Sequence, residues 1–517
     1  MNDGVALRMT AKALSAGEQS GESVRAWQAV LLFCPGDREA AFNVARAWHA
    51  AGELGAAEWL YRAAMAAGSE GAAYPDDVVA MWLGRLLVQV DRPAEAVRLM
   101  RPWARSTPRL AKHYASAVAR CLPSRLAGAL EQESLSSRAD PSLDWFDGVP
   151  SDDLSIRVFA ARPDTRSEAL AYQSGLDGER EDFLRPPYSR PPLYVGCYRE
   201  ATILAGGVLL TSEGRIVSES VYAHGFNPPV GPATIFHRKS WLRVADDGTL
   251  RYSGPPPKIR HCPFPVLNLV TSRMSYGAFL TTQLTRLLAR AWIDVPDLRI
   301  AMRPLVDFDA GPLLEPLGIP ADRVVELAPG EALFCDAVFS SNYPVYEYQW
   351  ILPEAIGPLR QIRDGLAPSP ERRRRLYVTR KDTRTRYLAN EDEVVAALKP
   401  YGFEFVVPSQ MSWEDKVRAY ADAEIVVGPN GSGLYNALFA RNPDCHVVGL
   451  FDGFDGPSTL FVVTELAGIR LSAVRATGAW SSESLGGRRT DAYEIDPQEV
   501  VAAVRHAIAD LQPAPAA

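Results

Sequence analysis

From about residue 375 the chain alternates short apolar runs with capped helical segments, and no other feature constrains the fold as tightly. The runs LYVT (376–379), FEFVV (403–407), EIVVG (424–428), HVVGLF (446–451) and RLSAV (470–474) read as strands. Between the first two, Asn390 and Glu393 make a capping-box pattern that Gly402 closes, and Ser412 heads the helical segment SWEDKVRAYADA. Further helices are predicted at 432–440 and near 458–467, and Asp496, Pro497 and Glu499 mark the start of a last one. Strands this apolar, alternating with helices, require a parallel sheet covered on both faces. The right-handed crossover rule makes that sheet doubly wound and Rossmann-like.

The first 135 residues have a different texture, Ala-rich and helical throughout. Trp27, Tyr61 and Met100 occupy corresponding places in three segments starting at Ser23, Ala57 and Ala96, at spacings of 34 and then 39 residues. The stretch GAAYP (71–75) accounts for the longer spacing as a loop. A 34-residue period is the tetratricopeptide length, and GELGAAEWLYRAA resembles the second helix of such a repeat. The alternative is an irregular helical bundle without a binding groove. The polar stretch SSRADPSLDWFDGVPSDD (136–153) reads as a linker, and short β-rich runs broken by Pro and Gly follow it. The expected architecture is α/β: a helical-repeat domain (1–135), the linker (136–153), a first α/β half (154–370) and a second, Rossmann-like half (371–517).

Composition narrows the function. With 55 basic and 62 acidic residues the net charge is −7, which argues against a general nucleic-acid or anionic-membrane binder. Six cysteines without a CxxC pair point to a reducing compartment rather than a disulfide framework. No leader-like pattern opens the chain and no apolar run is long enough to span a bilayer, so a cytoplasmic location is expected. The seven histidines are dispersed, so no metal site is expected, and no G-x-S-x-G nucleophile motif occurs.

Ligands of a doubly wound sheet bind beyond the carboxyl ends of its strands. Two of those ends are chemically loaded. After LYVT come Arg380, Lys381, Arg384 and Arg386, four cations in one loop, and guanidinium forks suit phosphate oxygens. The competing reading is a plain solvated basic loop. After EIVVG comes Gly428-Pro429-Asn430-Gly431-Ser432-Gly433, whose glycines let a ligand approach the backbone and whose Asn430 and Ser432 add donors. This turn lacks the spacing of both the dinucleotide fingerprint and the Walker loop.

Taken together, the two segments resemble the signature half of glycosyltransferase family 61, which includes capsular-polysaccharide enzymes. The matching elements are Thr379–Arg380, Arg386 with Asn390–Glu391, Gly402–Phe403, and Gly428 to Asn436. Upstream, SYGAFLTTQLTRLL (275–288) resembles a family helix through Tyr276, Leu280, Leu284 and Arg286. The chain departs from the family pattern at Ala278 and Phe279 (usually His-Trp), Thr282 (usually Glu), Asn430 (usually His) and Gly449 (commonly Glu).

The resemblance implies a bacterial, GT-B-like pair of Rossmann-like halves. The second half would hold a nucleotide-sugar donor and the first would bring a glycan acceptor, with Tyr276 and Arg286 on the acceptor side. Transfer would invert the anomeric centre, with the nucleotide-sugar as substrate and no cofactor or metal. Arg380, Lys381, Arg384, Arg386 and the 428–433 turn, with Asn390, Glu391 and Asn436, would form the donor site. His224 and Asp307 are the candidate general bases, and the triplet Asp307-Phe308-Asp309 is discounted as a metal motif. A second reading is a non-catalytic member that binds a sugar nucleotide or glycan and docks a partner, or itself, through the repeats. The departures support that reading, while the intact Arg and Asn–Glu elements support the enzyme.

Overall fold

The computed structural model describes residues 2–15, 21–68, 73–104, 106–127, 130–133, 154–159, 170–174, 193–221, 241–245, 249–271, 275–304, 309–343, 345–346, 350–368, 373–382, 387–452, 458–476 and 492–511. The linker read at 136–153 lies outside them. The chain divides into two compact units, Met1–Glu131 with Arg243–Pro263, and Gln132–Leu242 with Phe264–Ala517.

Among the described residues the first unit holds seven α-helices, α1 (Asn2–Leu14), α2 (Gly21–Phe33), α3 (Arg38–Ala51), α4 (Leu54–Ala66), α5 (Asp76–Gln89), α6 (Pro93–Met100) and α7 (Pro108–Ala127), and the short strand Leu250–Tyr252. Each contacts the next, and α5 also touches α3 and α7, so α3, α5 and α7 share one layer. Asp37 starts α3 by accepting the Ala40 N–H at 2.9 Å, and Gly52 ends it at φ 85°. Trp27, Tyr61 and Met100 are all buried, as their corresponding positions predict. Gly84 makes room for one of them, because a Cβ there would lie 2.5 Å from the Met100 sulfur. Each helix is held by burial of one face against its neighbours, since segments this short are marginal alone in water.

Among the described residues, two large sheets build the second unit, beside the two-stranded pairs Val345–Tyr346 with Trp350–Ile351 and Tyr387–Leu388 with Ala492–Tyr493. One is mixed, in the order Gln132–Glu133, Ile216–Val217, Leu209–Leu210, Leu193–Leu204, Glu331–Ser341, Lys258–Asn268, Arg299–Met302, Val324–Glu326, with Leu154–Phe159 also on Leu193–Leu204. Its long central pair, Leu193–Leu204 with Glu331–Ser341, is antiparallel, and Lys258–Asn268, Arg299–Met302 and Val324–Glu326 are parallel. Among the described residues this sheet is therefore not the all-parallel sheet expected of a Rossmann-like half. The segment that resembles a family helix (275–288) folds as an α-turn (Tyr276–Ala278) and a π-segment (Phe279–Leu284), and a 3-10 segment (Leu287–Trp292) follows.

The other sheet is parallel, in the order Glu404–Val406, Arg374–Val378, Ala423–Pro429, His446–Phe451, Arg470–Arg475, Leu170–Ser174. Its first five strands fall on the five predicted runs. The sixth comes from the preceding half of the chain and pairs with Arg470–Arg475 across nearly 300 intervening residues (residues 175–469). Ser412 caps Trp413–Ala421 and Asp496 caps Pro497–Asp510, as expected. The glycine-turn helix predicted at 432–440 is a six-residue 3-10 segment, Leu434–Phe439.

One buried histidine links this sheet to pH. His446 is fully buried, 2.7 Å from the Ser472 hydroxyl, and burial lowers its pKa from 6.5 to about 4. The native state thus holds it neutral while the unfolded chain titrates near 6.5. Its contribution is present above that value and is lost as pH falls toward 4, an effect of about 3 kcal/mol. Urea unfolding at pH 7 and pH 4.5 should show a smaller difference for His446→Gln than for the native chain. Equal differences would remove His446 as the cause.

Candidate active site

The carboxyl ends of Arg374–Val378 and Ala423–Pro429 are neighbours in the sheet, and their loops meet. Gly428 must lack a side chain because its Cβ would lie 2.5 Å from the Val378 carbonyl. Arg380, two residues beyond Val378, lays its guanidinium against Gly431, where a Cβ would stand 1.8 Å from Nη1. The turn and the arginine therefore form one surface, half-buried at Arg380. Asn430 fixes the turn through its N–H to the Leu450 carbonyl at 2.7 Å. Its side-chain oxygen is buried with no hydrogen-bond partner among the described residues. Among the described residues the N–H groups of Gly431, Ser432 and Gly433 make no backbone hydrogen bond, while those of Leu434, Tyr435 and Asn436 turn back onto Gly431, Ser432 and Gly433. This arrangement suits an anion, with N–H groups and a guanidinium converging at a strand end.

Several expected donor residues are engaged elsewhere. Lys381 is exposed and pairs with Asp392 at 2.5 Å, an acid the sequence reading passed over. Asp382 accepts from the Ser409 hydroxyl. Asn390 stands at the N-cap position without capping. Its amide instead donates to the Ile495 carbonyl at 2.8 Å and accepts the Ile495 N–H at 3.2 Å, and it lies 3.5 Å from Glu393. Asn390→Ala should therefore cost about 1–2 kcal/mol of stability and leave nucleotide affinity unchanged. Urea unfolding beside a binding titration separates this from a direct donor role, which would weaken affinity at unchanged stability.

Glu391 is buried next to Thr379 and Tyr377. Burial raises its pKa more than the two hydroxyls and Lys381 lower it. Its position suits holding the strand-end loop better than contacting a ligand. Arg384 and Arg386 lie outside the described residues, as do His224 and Asp307.

Behind the turn, the mixed-sheet half and the parallel-sheet half are clasped together. Asn436 is fully buried, donates to the Gly433 carbonyl at 2.9 Å and accepts from the Tyr276 hydroxyl. Tyr420 donates to the same carbonyl at 3.0 Å. The Tyr276 ring stacks on Trp413 with centroids 5.5 Å apart, and the Trp413 indole N–H reaches the Asp309 carbonyl at 2.6 Å. Lys416 sits over both rings, and burial lowers its pKa. Gly277 admits the Tyr435 ring, which would lie 2.5 Å from a Cβ. Arg286 is also buried, its guanidinium 3.4 Å from the Val270 and Ser341 carbonyls and 4.9 Å from the centre of the Tyr343 ring. Tyr276, Arg286 and Asn436 thus shape the site from behind.

Two features escaped the sequence reading. Gly449, where the family commonly has Glu, lies inside His446–Phe451, and a Cβ there would meet Leu460 and Phe451 at 2.7 Å. The acid at that strand's carboxyl end is Asp452, which is buried. Arg475 closes the adjacent strand in register with Phe451.

A cavity of about 830 Å³ is lined in part by Leu287, Arg290, Leu298, Ile300, Leu317 and Arg323. It lies away from the strand ends just described. Among the described residues no three His, Cys, Asp or Glu side chains are grouped to hold a metal ion. None of the described helices is long and apolar enough to cross a membrane.

No curated protein matches the chain. Residues 261–448 match the family model described as Glycosyltransferase 61, a stretch that runs from the strand Lys258–Asn268 through the Tyr276 and Arg286 segment, the Arg380 loop and the Gly428–Asn436 turn into the strand His446–Phe451. This glycosyltransferase 61 region makes the chain a glycosyltransferase.

Proposed function

We propose that the enzyme is an inverting glycosyltransferase that moves a sugar from a nucleotide diphosphate to a polysaccharide or glycan-precursor acceptor. The observation that carries this reading is the Arg380 guanidinium laid against Gly431 within the family-matched region. There it neutralises charge on the departing diphosphate, and the N–H groups of Gly431 to Gly433 supply dipoles aimed at the same oxygens. Asn430 offers its side chain beside them. Arg384 and Arg386 are further proposed donor contacts, and Lys381 contributes when it releases Asp392. The acceptor enters from the mixed-sheet half, in a GT-B-like manner, and a general base there takes its hydroxyl proton. Asp307 and His224 are the candidates, and Asp307 lies two residues before the Asp309 carbonyl that holds Trp413. Capsular polysaccharide is the proposed product class and the cytoplasm the proposed compartment. We assign the donor no metal, because charge on the diphosphate is met by arginine and backbone N–H groups.

A thermal-shift screen against UDP-, GDP-, CMP- and dTDP-sugars, each with and without EDTA, tests the reading. One nucleotide class should stabilise the protein by about 2–3 kcal/mol at a hundredfold excess over its Kd, equally with EDTA present. Stabilisation that EDTA abolishes would overturn the metal-free assignment, and no stabilisation by any class would overturn the donor site.

A further inference from the structure

The layer of α3, α5 and α7 carries a group of cations that its own acids leave unpaired. The Arg46 guanidinium carbon lies 4.9 Å and that of Arg85 4.4 Å from the centre of the same indole, Trp82. His49 meets that indole edge-on at 6.1 Å, and its ring reaches Gln89 at 3.0 Å. Both guanidinium charges are also felt at Tyr61. From α7, His113 faces Arg85 and Lys112, and burial first and then these like charges hold its pKa below the ordinary range.

Among the described residues, neither Arg46 nor Arg85 makes an ion pair, and the Arg46 Nε is buried without a hydrogen-bond partner. Other cations of the same unit are paired closely. Arg62 and Arg92 hold Glu58 and Glu95 at 2.5–2.9 Å, and Arg38 holds Asp76 at 2.6 Å. Clustered cations without counter-charge repel one another, and that cost is relieved when an anion joins them.

We propose that this face of α3, α5 and α7 binds an acidic polypeptide segment through its carboxylates. Guanidinium forks accept carboxylates bidentately, and stacking on Trp82 fixes their planes in advance. Helices packed at ordinary spacing place the three contributions over roughly 16–20 Å. About five or six residues of extended chain cover that length. A sugar chain is disfavoured because Trp82, the ring a sugar would stack on, already carries two guanidinium groups. Nucleic acid is disfavoured because the patch is short and the chain carries a net charge of −7.

Fluorescence anisotropy on the full chain tests the proposal with a labelled octaglutamate peptide and a labelled octaglutamine control. The native protein should bind octaglutamate, more weakly as salt rises, and should ignore octaglutamine. The double variant Arg46→Gln/Arg85→Gln should bind at least tenfold more weakly with an unchanged far-UV spectrum, and Arg62→Gln should bind like the native protein. Absence of octaglutamate binding, equal binding by the double variant, or tighter binding of an oligogalacturonate or an oligonucleotide would each overturn it.

Discussion

Arg380→Ala is expected to lower turnover about 10²–10³-fold with the nucleotide-sugar donor, with the melting temperature unchanged. The size follows from the proposed role. A guanidinium in a preorganised site stabilises charge that develops as the diphosphate leaves, and nothing else described at this strand end supplies a second full charge so close to the turn. Stability is spared because Arg380 is half-buried and lies against a glycine rather than within the core. Gly431→Ala probes the same contact from the other side. Its Cβ would meet the far end of a flexible side chain, so the fold accommodates it by moving the guanidinium. Both variants should therefore lose activity while keeping their melting temperature. Steady-state kinetics with the donor found by thermal shift would decide it. Native turnover in Arg380→Ala would remove the leaving-group role, whatever the family match.

Asn436→Leu is expected to produce the second large effect, in stability. Leucine has a similar volume but accepts no hydrogen bond, so the Tyr276 hydroxyl loses Asn436 as acceptor and the Gly433 carbonyl keeps Tyr420 and the backbone N–H of residue 436. Loss of the Tyr276–Asn436 bond together with the amide bond to Gly433 costs about 2–4 kcal/mol. Tyr276→Phe removes the other partner, and the double variant should cost less than the sum of the single ones, because the pair acts as a unit. Urea unfolding followed through the Trp413 and Tyr276 region is the measurement. If Asn436→Leu kept native stability and lost only donor affinity, Asn436 would be a ligand contact, as the sequence reading had it.

Asn436 shows where the reading of a motif stops. Its place in the Gly428–Asn436 pattern was legible, and so was its polarity, but the direction of its amide was not. That depends on Tyr276, 160 residues away, which only the folded chain brings near. Asn390 is the same case, with Ile495 as its partner 105 residues on. At Ser412 and Asp496, where the capped N–H lies two or three residues along the chain, the expected caps were found.

The sequence by itself determined what depends on local period and neighbouring residues. It set the five buried parallel strands of the second half, the caps that follow local rules, the buried Trp27, Tyr61 and Met100 of the helical unit, and the two loaded strand ends. A strand buried on both faces must be apolar along its length, so its position is written in consecutive residues. Tertiary structure alone decided the pairings made at long range. It joined Leu170–Ser174 to the edge of the parallel sheet, made the centre of the other sheet antiparallel, put a π-segment into the Tyr276 helix, and set Arg380 against Gly431. The physical reason is the same throughout. Hydrogen-bonding groups in the interior must find partners, and which partner each one finds is fixed by packing between distant segments, on which the local pattern is silent.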